Sequence, residues 1–146
     1  MNYSIEELNL NGFQIVKAEM FVHPPRKGEA TCSVWPTKIF FSKLCLEMLN
    51  NCEFVRIEVN PNTKCLLVVP VSSNDRDGIR WIKGQKDLTI RNMESKAFGT
   101  QLYRTWNLDP ELNYRAKGRL VSSNKKIMML FDFSNAEVWK TKKTET

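Results

Sequence analysis

The sequence predicts an α+β fold with a mainly antiparallel sheet or a partly open barrel. Residues 38–71 show the order strand, helix, strand, turn, strand, and residues 95–133 repeat this order from the helix onward. Both turns are short and polar, which is typical of antiparallel strand pairs. We therefore interpret the chain as two β-α-β-β units, at residues 37–71 and 95–139, behind an N-terminal β-hairpin at residues 12–36.

The length and composition allow one compact domain or two small fused units, and we expect one compact domain over residues 1–146. A chain of 146 residues with 42% hydrophobic content is large enough to bury a core. Its longest apolar runs, such as residues 65–71, are far shorter than the roughly 20 residues that a membrane span needs. Residues 1–7 lack the basic and apolar regions of a signal peptide, so we expect a cytoplasmic protein without a membrane partner.

In the first unit, apolar side chains at helical spacing follow a short strand. Residues 41–49 place apolar side chains at i, i+3, i+4, i+7 and i+8, which is one face of a short helix, and Ser42 is placed to cap it. Residues 54–59 alternate apolar and polar side chains, as a half-buried strand does. After the turn at residues 60–63, residues 64–71 are almost wholly apolar and predict a central strand.

The second unit begins with a helix whose apolar side chains also share one face. Phe98, Leu102 and Trp106 recur at i, i+4 and i+8, which predicts that this face points to the core. Two strands follow, at residues 114–121 and 125–133, around a polar turn. The second of these strands is apolar enough to be central.

Three further segments complete the interpretation. Residues 13–22 have the apolar density of a strand and are expected to pair with residues 30–35 around a basic tip at residues 23–28. Residues 72–94 have a polar composition around a short apolar patch and are too long for a passive connection, so we expect a basic linker that is functional or partly flexible. Residues 140–146 are expected to form a disordered basic tail.

The net charge favours an acidic partner. The formal charge is +6 and the isoelectric point is near 9.2, and such an excess is typical of proteins that bind nucleic acid or an anionic surface. With 22 basic against 16 acidic residues, an ordinary solvated surface also explains the excess. The positions of the cations are therefore more informative about function than the net charge.

The most regular group of cations lies on the first strand of the second hairpin. Arg115, Lys117 and Arg119 alternate with uncharged residues, so they share one face at intervals of roughly 6.6 Å, close to the spacing of successive backbone phosphates. Lys125 and Lys126 follow across the turn, and no acidic residue interrupts the group. These five residues predict a surface that adds salt-dependent, sequence-independent affinity for nucleic acid. The alternative is a solvated sheet face or a protected edge strand.

A second group of cations surrounds a tryptophan in the linker. Arg80 and Lys83 lie close to Trp81, and this combination suits a contact in which cations hold phosphates while the indole stacks on a base or enters a groove. We include these three residues in the candidate nucleic-acid site. The alternative is a tryptophan packed against its own sheet, because isoleucines flank it on both sides.

The sequence contains no recognisable catalytic or metal-binding motif. His23 is the single histidine and has no evident triad partner, and no glycine-rich phosphate loop is present. The four cysteines, Cys32, Cys45, Cys52 and Cys65, lack the spacing of a zinc site. We expect buried free thiols, with a disulfide as the minor alternative, which a cytosolic chain would not keep. We also expect no cofactor and a protein that is not an enzyme.

The segment Ile39-Phe-Phe-Ser-Lys-Leu before the first hairpin, together with the order of the elements, resembles the AbrB and MraZ class of swapped-hairpin DNA-binding proteins. Members of this class carry a short helix and a β-hairpin after such a segment, and MraZ contains two copies in one chain. The resemblance implies a tandem fold that binds DNA.

Short segments along the whole chain are also similar to a group of small proteins encoded on integrative and conjugative elements of Firmicutes, which are often named integrases. The segments are Gly12-Phe-Gln-Ile-Val16, Ile39-Phe-Phe-Ser42, Ile79-Arg-Trp81, Lys96-Ala-Phe98, Tyr114-Arg-Ala-Lys-Gly118 and Leu130-Phe-Asp132. No integrase motif is present, so no active-site residue follows from the resemblance. It implies a mobile-element setting, in which small accessory proteins tend to bind DNA as regulators or to inhibit host defence nucleases.

These observations predict a non-enzymatic DNA-binding accessory or regulatory protein of a mobile genetic element. Its basic β-hairpin would contact phosphates, with duplex DNA as the favoured nucleic acid. The alternative is a protein-binding inhibitor of a host defence nuclease, similar to an anti-CRISPR protein, that binds a Cas protein or its guide RNA. Either function is compatible with a homodimer.

Overall fold

The computed structural model describes residues 4–17, 28–84 and 88–140. The strands are mainly antiparallel and curl into a half-barrel that carries two helices, so the predicted α+β class with a mainly antiparallel sheet is confirmed. No helix in these ranges is long and apolar enough to cross a membrane.

The secondary-structure elements follow one another along the chain in three groups. The first group is β1 (Thr31–Trp35), β2 (Lys38–Phe41), α1 (Lys43–Met48), β3 (Phe54–Asn60) and β4 (Cys65–Val71). The second group consists of two-residue strands, β5 (Ile79–Arg80), β6 (Ile82–Lys83), β7 (Thr89–Ile90) and β8 (Met93–Glu94). The third group is α2 (Lys96–Thr105), β9 (Leu112–Ser123), β10 (Lys126–Asp132), a short 3-10 helix (Phe133–Asn135) and β11 (Glu137–Lys140).

One sheet contains most of these strands, in the order β5-β3-β4-β10-β9-β1-β2-β8, with β11 paired to β9 as well. The hairpins β3–β4 and β9–β10 meet through an antiparallel β4–β10 pair, and β2 pairs with β8. The order strand, helix, strand, strand occurs within the first predicted unit, whereas the strand that precedes the second helix, β8, lies in the segment predicted as a linker. That the two stretches are copies of one unit stays a prediction.

The core lies on the inner face of the curled sheet. The ring of Phe41 packs against those of Trp81 and Phe131, with centroid distances of 5.5 and 5.6 Å. Helix α2 adds Leu102 and Trp106, which are 2% and 1% exposed, as the spacing of its apolar residues predicts. Burial of such large side chains contributes most of the free energy that holds sheet and helices together.

Helix α2 also fixes the base of β9. The hydroxyl of Tyr103 lies 2.8 Å from the carbonyl oxygen of Leu112 and 3.1 Å from that of Val34, so one side chain joins the helix to β9 and β1. The indole nitrogen of Trp106 donates to the carbonyl of Asn60 at 3.1 Å. The strand that carries the predicted cations therefore starts from a rigid support.

The structure contradicts the predicted N-terminal hairpin. Strand β1 lies between β2 and β9 and pairs with both, so neither of its edges is open to residues 13–17. Residues 13–17 form no strand and are exposed. The rest of that predicted strand, residues 18–22, and the basic tip apart from Gly28 lie outside the described residues. Of the predicted tail at residues 140–146, Lys140 is the last residue of β11, contrary to the prediction, and residues 141–146 lie outside the described residues.

Residues 72–84 and 88–94 are part of the fold rather than a linker. They contain the four two-residue strands, and Trp81, Ile82 and Ile90 are only 0%, 4% and 8% exposed. Main-chain hydrogen bonds fix the segment, because the N–H of Trp81 donates to the carbonyl of Glu53 at 3.3 Å and that of Arg91 to the carbonyl of Trp81 at 2.7 Å. Because both ends of the segment are polar, its composition indicated a linker even though its centre is buried.

Ser42 does not use its side chain to cap α1, contrary to the sequence prediction. Its hydroxyl accepts a hydrogen bond from the N–H of Thr31 at 2.9 Å and donates one to the carbonyl of Glu29 at 2.7 Å. The serine therefore joins the start of β1 to the start of the helix.

Candidate nucleic-acid interface

Strand β9 presents the predicted cation row, Arg115, Lys117 and Arg119, on the outer face of the sheet. These side chains are exposed, whereas Ala116 between the first two is 2% exposed. At Gly118, a Cβ atom would stand 2.6 Å from a ring carbon of a core phenylalanine. Alternate residues thus pack inward, and the three cations point away from the core on one face.

The turn between β9 and β10 consists of two residues, Asn124 and Lys125, with φ angles of 51° and 65°. Positive φ at both central positions is typical of the type I′ turn, whose twist matches that of the flanking strands. Strand β9 consequently runs to Ser123, which pairs with Lys126, and the turn lies later in the chain than predicted. Lys125 and Lys126 are exposed at the tip of the hairpin.

The first two cations of the row have partners of different strength. The Nε of Arg115 donates to the hydroxyl of Ser33 at 2.9 Å, and its guanidinium carbon lies 4.7 Å from the ring centroid of Trp139. Lys117 lies 3.4 Å from a carboxylate oxygen of Glu29, and the two side chains are 69% and 62% exposed. So exposed an ion pair contributes little, and a phosphate can replace the carboxylate at low cost.

Arg119 lies near the carboxylate of Asp132. Hydrogen bonds from the hydroxyl of Ser134 at 2.6 Å and from its N–H at 2.9 Å lower the pKa of Asp132, and the positive charge of Arg119 lowers it further. This carboxylate is therefore ionised at neutral pH and partly balances the charge of Arg119.

Two tryptophans extend the outer face, and sequence analysis missed both. Trp35 and Trp139 contact each other edge to face, with centroids 5.6 Å apart and planes at 88°. The ammonium group of Lys38 lies 4.5 Å from the ring centroid of Trp35. Because Lys38 is on β2, Trp35 on β1 and Arg115 on β9, the two cations lie on opposite sides of the strand that carries Trp35. No local pattern could have found this tryptophan pair, because strand pairing joins residues from opposite ends of the chain.

An open concavity of about 820 Å³ adjoins the cation row. Its lining includes the ring of Phe40, which is 39% exposed, and the side chains of Arg115 and Lys117. Three carboxylates line it as well, those of Glu29, Asp132 and Glu137. The base of the row is therefore of mixed charge, and the acid-free part of the surface is the tip of the hairpin.

The structure separates the residues of the second predicted group. Trp81 is fully buried, and its indole nitrogen donates to the carbonyl of Cys52 at 2.8 Å, so it cannot stack on a base and leaves the candidate site. Arg80 forms an ion pair of 2.8 Å with Glu53. Lys83 is exposed on β6.

The ionisable groups of the described residues form no evident catalytic centre. The four cysteines are free thiols. Burial raises the pKa of Cys32 and Cys45, and raises that of Cys52 to about 11, so these thiols are protonated at neutral pH and react poorly as nucleophiles. In the described ranges, no group of three or more His, Cys, Asp or Glu residues is placed to hold a metal ion.

Comparison of the chain with models of protein families, with curated proteins and with solved structures gives no match in any of the three cases.

Proposed function

We propose that this protein is a non-enzymatic, DNA-binding accessory or regulatory protein of a mobile genetic element, which acts in the cytoplasm. In this proposal the β9–β10 hairpin contacts the phosphates of duplex DNA. The observation that carries it is that residues 112–131, which span nearly all of both strands, contain five cations and no acidic residue.

The shape of the hairpin supports duplex DNA as the ligand. The tip is a tight two-residue turn, and the residues from Ser122 to Ile127 are all exposed. A two-stranded β-ribbon fits the major groove of B-form DNA. The tip lysines would then reach phosphates at the groove edges, and the row on β9 would follow the backbone.

The charges of the hairpin predict how affinity depends on salt. Each phosphate contact releases condensed counterions, so the slope of log affinity against log salt concentration is about −0.9 per contact for duplex DNA. Lys125 and Lys126 lie in the acid-free part of the surface, at the tip of the hairpin. Arg119 is the cation of the row nearest to this tip, and Asp132 balances part of its charge. We expect these three residues to contribute most of the slope.

The test compares two charge-reversal variants by fluorescence anisotropy. The first changes Arg119, Lys125 and Lys126 to Glu, and the matched control changes Lys43, Lys96 and Arg104, which are exposed on the two helices. Each reversal replaces one positive charge by one negative charge and so lowers the formal net charge by two; three reversals bring it from +6 to 0 in both variants. Duplex DNA, single-stranded DNA and RNA are titrated at several salt concentrations.

We expect the hairpin variant to bind duplex DNA at least about tenfold more weakly than the control, with a flatter salt slope. Equal affinities and slopes for the two variants would show that binding follows net charge and that the hairpin is not the interface.

One observation favours the second function, inhibition of a host defence nuclease by protein binding. The hairpin also exposes Leu120 and Ile127, at 44% and 54%, and exposed apolar side chains near a tip are typical of protein contacts. A pull-down with a Cas effector, with and without its guide RNA, tests this alternative. Binding that survives nuclease treatment and the loss of the three hairpin cations would favour it over DNA binding.

A further inference from the structure

The N-terminal arm, which we define as residues 4–17, leaves large apolar side chains in solvent. Six of them are between 59% and 95% exposed: Ile5, Leu8, Leu10, Phe13, Ile15 and Val16. Two hydrogen bonds shape the arm and both are internal, from the N–H of Phe13 to the carbonyl of Leu10 at 3.2 Å and from the N–H of Asn11 to the side chain of Asn9 at 2.9 Å. So much exposed apolar surface on one short segment is typical of an interaction site.

The pattern of the arm is that of a strand. Phe13 and Ile15 flank Gln14, as Leu8 and Leu10 flank Asn9, so apolar side chains recur at the period of two that a half-buried strand shows. Residues 13–17 nevertheless belong to no strand. The arm thus has the sequence of a strand and lacks a sheet to join.

The half-barrel has the complementary feature. Strands β5 and β8 are the two ends of the sheet order, so each has one edge without a partner strand among the described residues. Residues of both strands line an apolar groove of about 450 Å³, which we call the seam groove. Its apolar lining includes Ile39, Ile57 and Phe98, together with Val59 and Ile79, which are each 39% exposed.

We propose that the arm of one copy of this chain fills the seam groove of a second copy, with residues 13–16 added as a strand between β5 and β8. The apolar side chains of the arm would enter the groove, and its backbone would pair with an open sheet edge. Exchange of identical arms between two copies gives a closed, two-fold symmetric dimer.

The charges of the arm fit a body of this chain as the occupied surface. Within the arm, Glu6 and Glu7 oppose a single cation, Lys17, whereas the whole chain carries +6. Arg91 lines the groove and is exposed, and its guanidinium donates to the carbonyl of Arg80 at 3.2 Å. The two cations and two carboxylates that line the groove balance each other, so the net charge of the whole body attracts the acidic arm and apolar burial supplies most of the affinity.

A second copy of the chain accounts for both the exposed apolar arm and the open seam groove, whereas another occupant would account for the groove alone. A foreign strand or an apolar small molecule would fill the groove, but the six apolar side chains of the arm would remain in water. Arm exchange buries both surfaces at once, and it needs no partner besides the chain itself.

The test measures association of the full chain by light scattering over a range of protein concentrations. Ile15→Asp alters the arm and Ile79→Asp alters the groove. Val138→Asp is the matched control, because Val138 is 50% exposed on β11, belongs to no part of the arm and does not line the groove. We expect the unmodified chain and the control to form dimers, and each of the other variants to raise the dimer dissociation constant at least about tenfold.

Mixing the two variants gives the sharper result. The Ile15→Asp chain retains an intact groove and the Ile79→Asp chain an intact arm, so their mixture restores one of the two contacts and associates more tightly than either variant by itself. Circular dichroism checks that each variant is folded, and Val59→Asp replaces Ile79→Asp if the latter unfolds.

Three results would overturn the proposal: a chain that stays monomeric at every concentration, a dimer that both variants leave unchanged, or a mixture no tighter than its components. A monomer whose hydrodynamic radius grows on the Ile15→Asp change would place the arm in the groove of its own chain, and that result also overturns exchange between copies.

Discussion

The β9–β10 hairpin and residues 72–94 look alike in sequence, since each places cations among apolar residues, and the structure uses them differently. In the hairpin, Lys125 and Lys126 are exposed at a tight turn. In the other segment, Trp81 and Ile82 are buried in the core and Arg80 is paired with a carboxylate. The hairpin therefore exposes cations that can contact an anion, whereas the second segment stabilises the core.

The difference arises from where the carboxylates lie in space. Residues 112–131 contain no acidic residue, so few ion pairs form within the hairpin. Residues 72–94 and the strand beside them supply carboxylates to each other's cations: Arg56 of β3 lies 2.7 Å from Asp75, and Arg80 lies 2.8 Å from Glu53. A basic segment is thus a good candidate for binding an anion only where its cations are not already paired within the fold.

Replacing the buried tryptophan should have the largest effect. Trp81→Ala would lower the free energy of unfolding by about 3–5 kcal/mol, because it leaves a large cavity and removes the donor to the carbonyl of Cys52. Urea denaturation measures this loss, and Lys83→Ala, on the exposed side chain of β6, should change stability little. A stable Trp81→Ala protein that lost DNA binding would instead make the indole a ligand contact.

The hairpin should tolerate a methyl group poorly at one position of its inner face. Gly118→Ala would place its Cβ 2.6 Å from Phe131 and 2.9 Å from the sulfur of Met129, which should lower the free energy of unfolding by about 1–3 kcal/mol. Ser122→Ala on the same strand, at an exposed position, is the control. Equal stability of the two variants would mean that the hairpin does not pack on the core as described.

Local periodicity was enough to predict the elements nearest to the hairpin. The apolar spacing of residues 98–106 corresponds to α2, and the alternation along residues 114–121 corresponds to the middle of β9. Within β9 the same alternation also placed Arg115, Lys117 and Arg119 on one face. Such features depend on a few neighbouring residues, and the sequence displays them directly.

Features that depend on distant strand pairing could not be predicted in this way. Strand β1 is central because β2 and β9 take both of its edges. Trp35 contacts Trp139 because β1 and β11 both pair with β9. The two-residue strands at residues 79–94 are too short to show a period. The ion pair of Arg80 with Glu53 joins residues far apart in the chain. Because of it, a cation that the sequence indicated as free to bind phosphate is paired within the fold.

The carboxylate at the end of the hairpin should make a pH-dependent contribution to stability. Hydrogen bonds from Ser134, and then the charge of Arg119, lower the pKa of Asp132 in the folded chain. Its stabilising effect is therefore complete above the ordinary aspartate pKa of about 3.9 and is lost as the pH falls through the lower, folded value. Because this carboxylate is exposed, Asp132→Asn should cost at most about 1 kcal/mol at neutral pH.

Urea denaturation of Asp132→Asn and the unmodified chain at neutral pH and near pH 2.5, well below the ordinary aspartate pKa, checks the sign. The difference in stability should shrink in acid. A difference of the same size at both pH values would exclude the ionised carboxylate as its source.

The smallest expected effect tests whether the ion pair of Arg80 with Glu53, or the position of Arg80 in the fold, would keep this residue from the proposed DNA contact. Glu53→Gln removes the carboxylate 2.8 Å from Arg80, and Glu47→Gln removes an exposed carboxylate from α1 with the same change in net charge. An exposed ion pair is worth about 0.2–1 kcal/mol, so Glu53→Gln should strengthen the proposed DNA binding about twofold relative to Glu47→Gln. Equal affinities of the two variants in an anisotropy titration would mean that the position of Arg80 in the fold, and not its ion pair, keeps it from the DNA. The difference between the two basic segments would then be one of geometry rather than of charge.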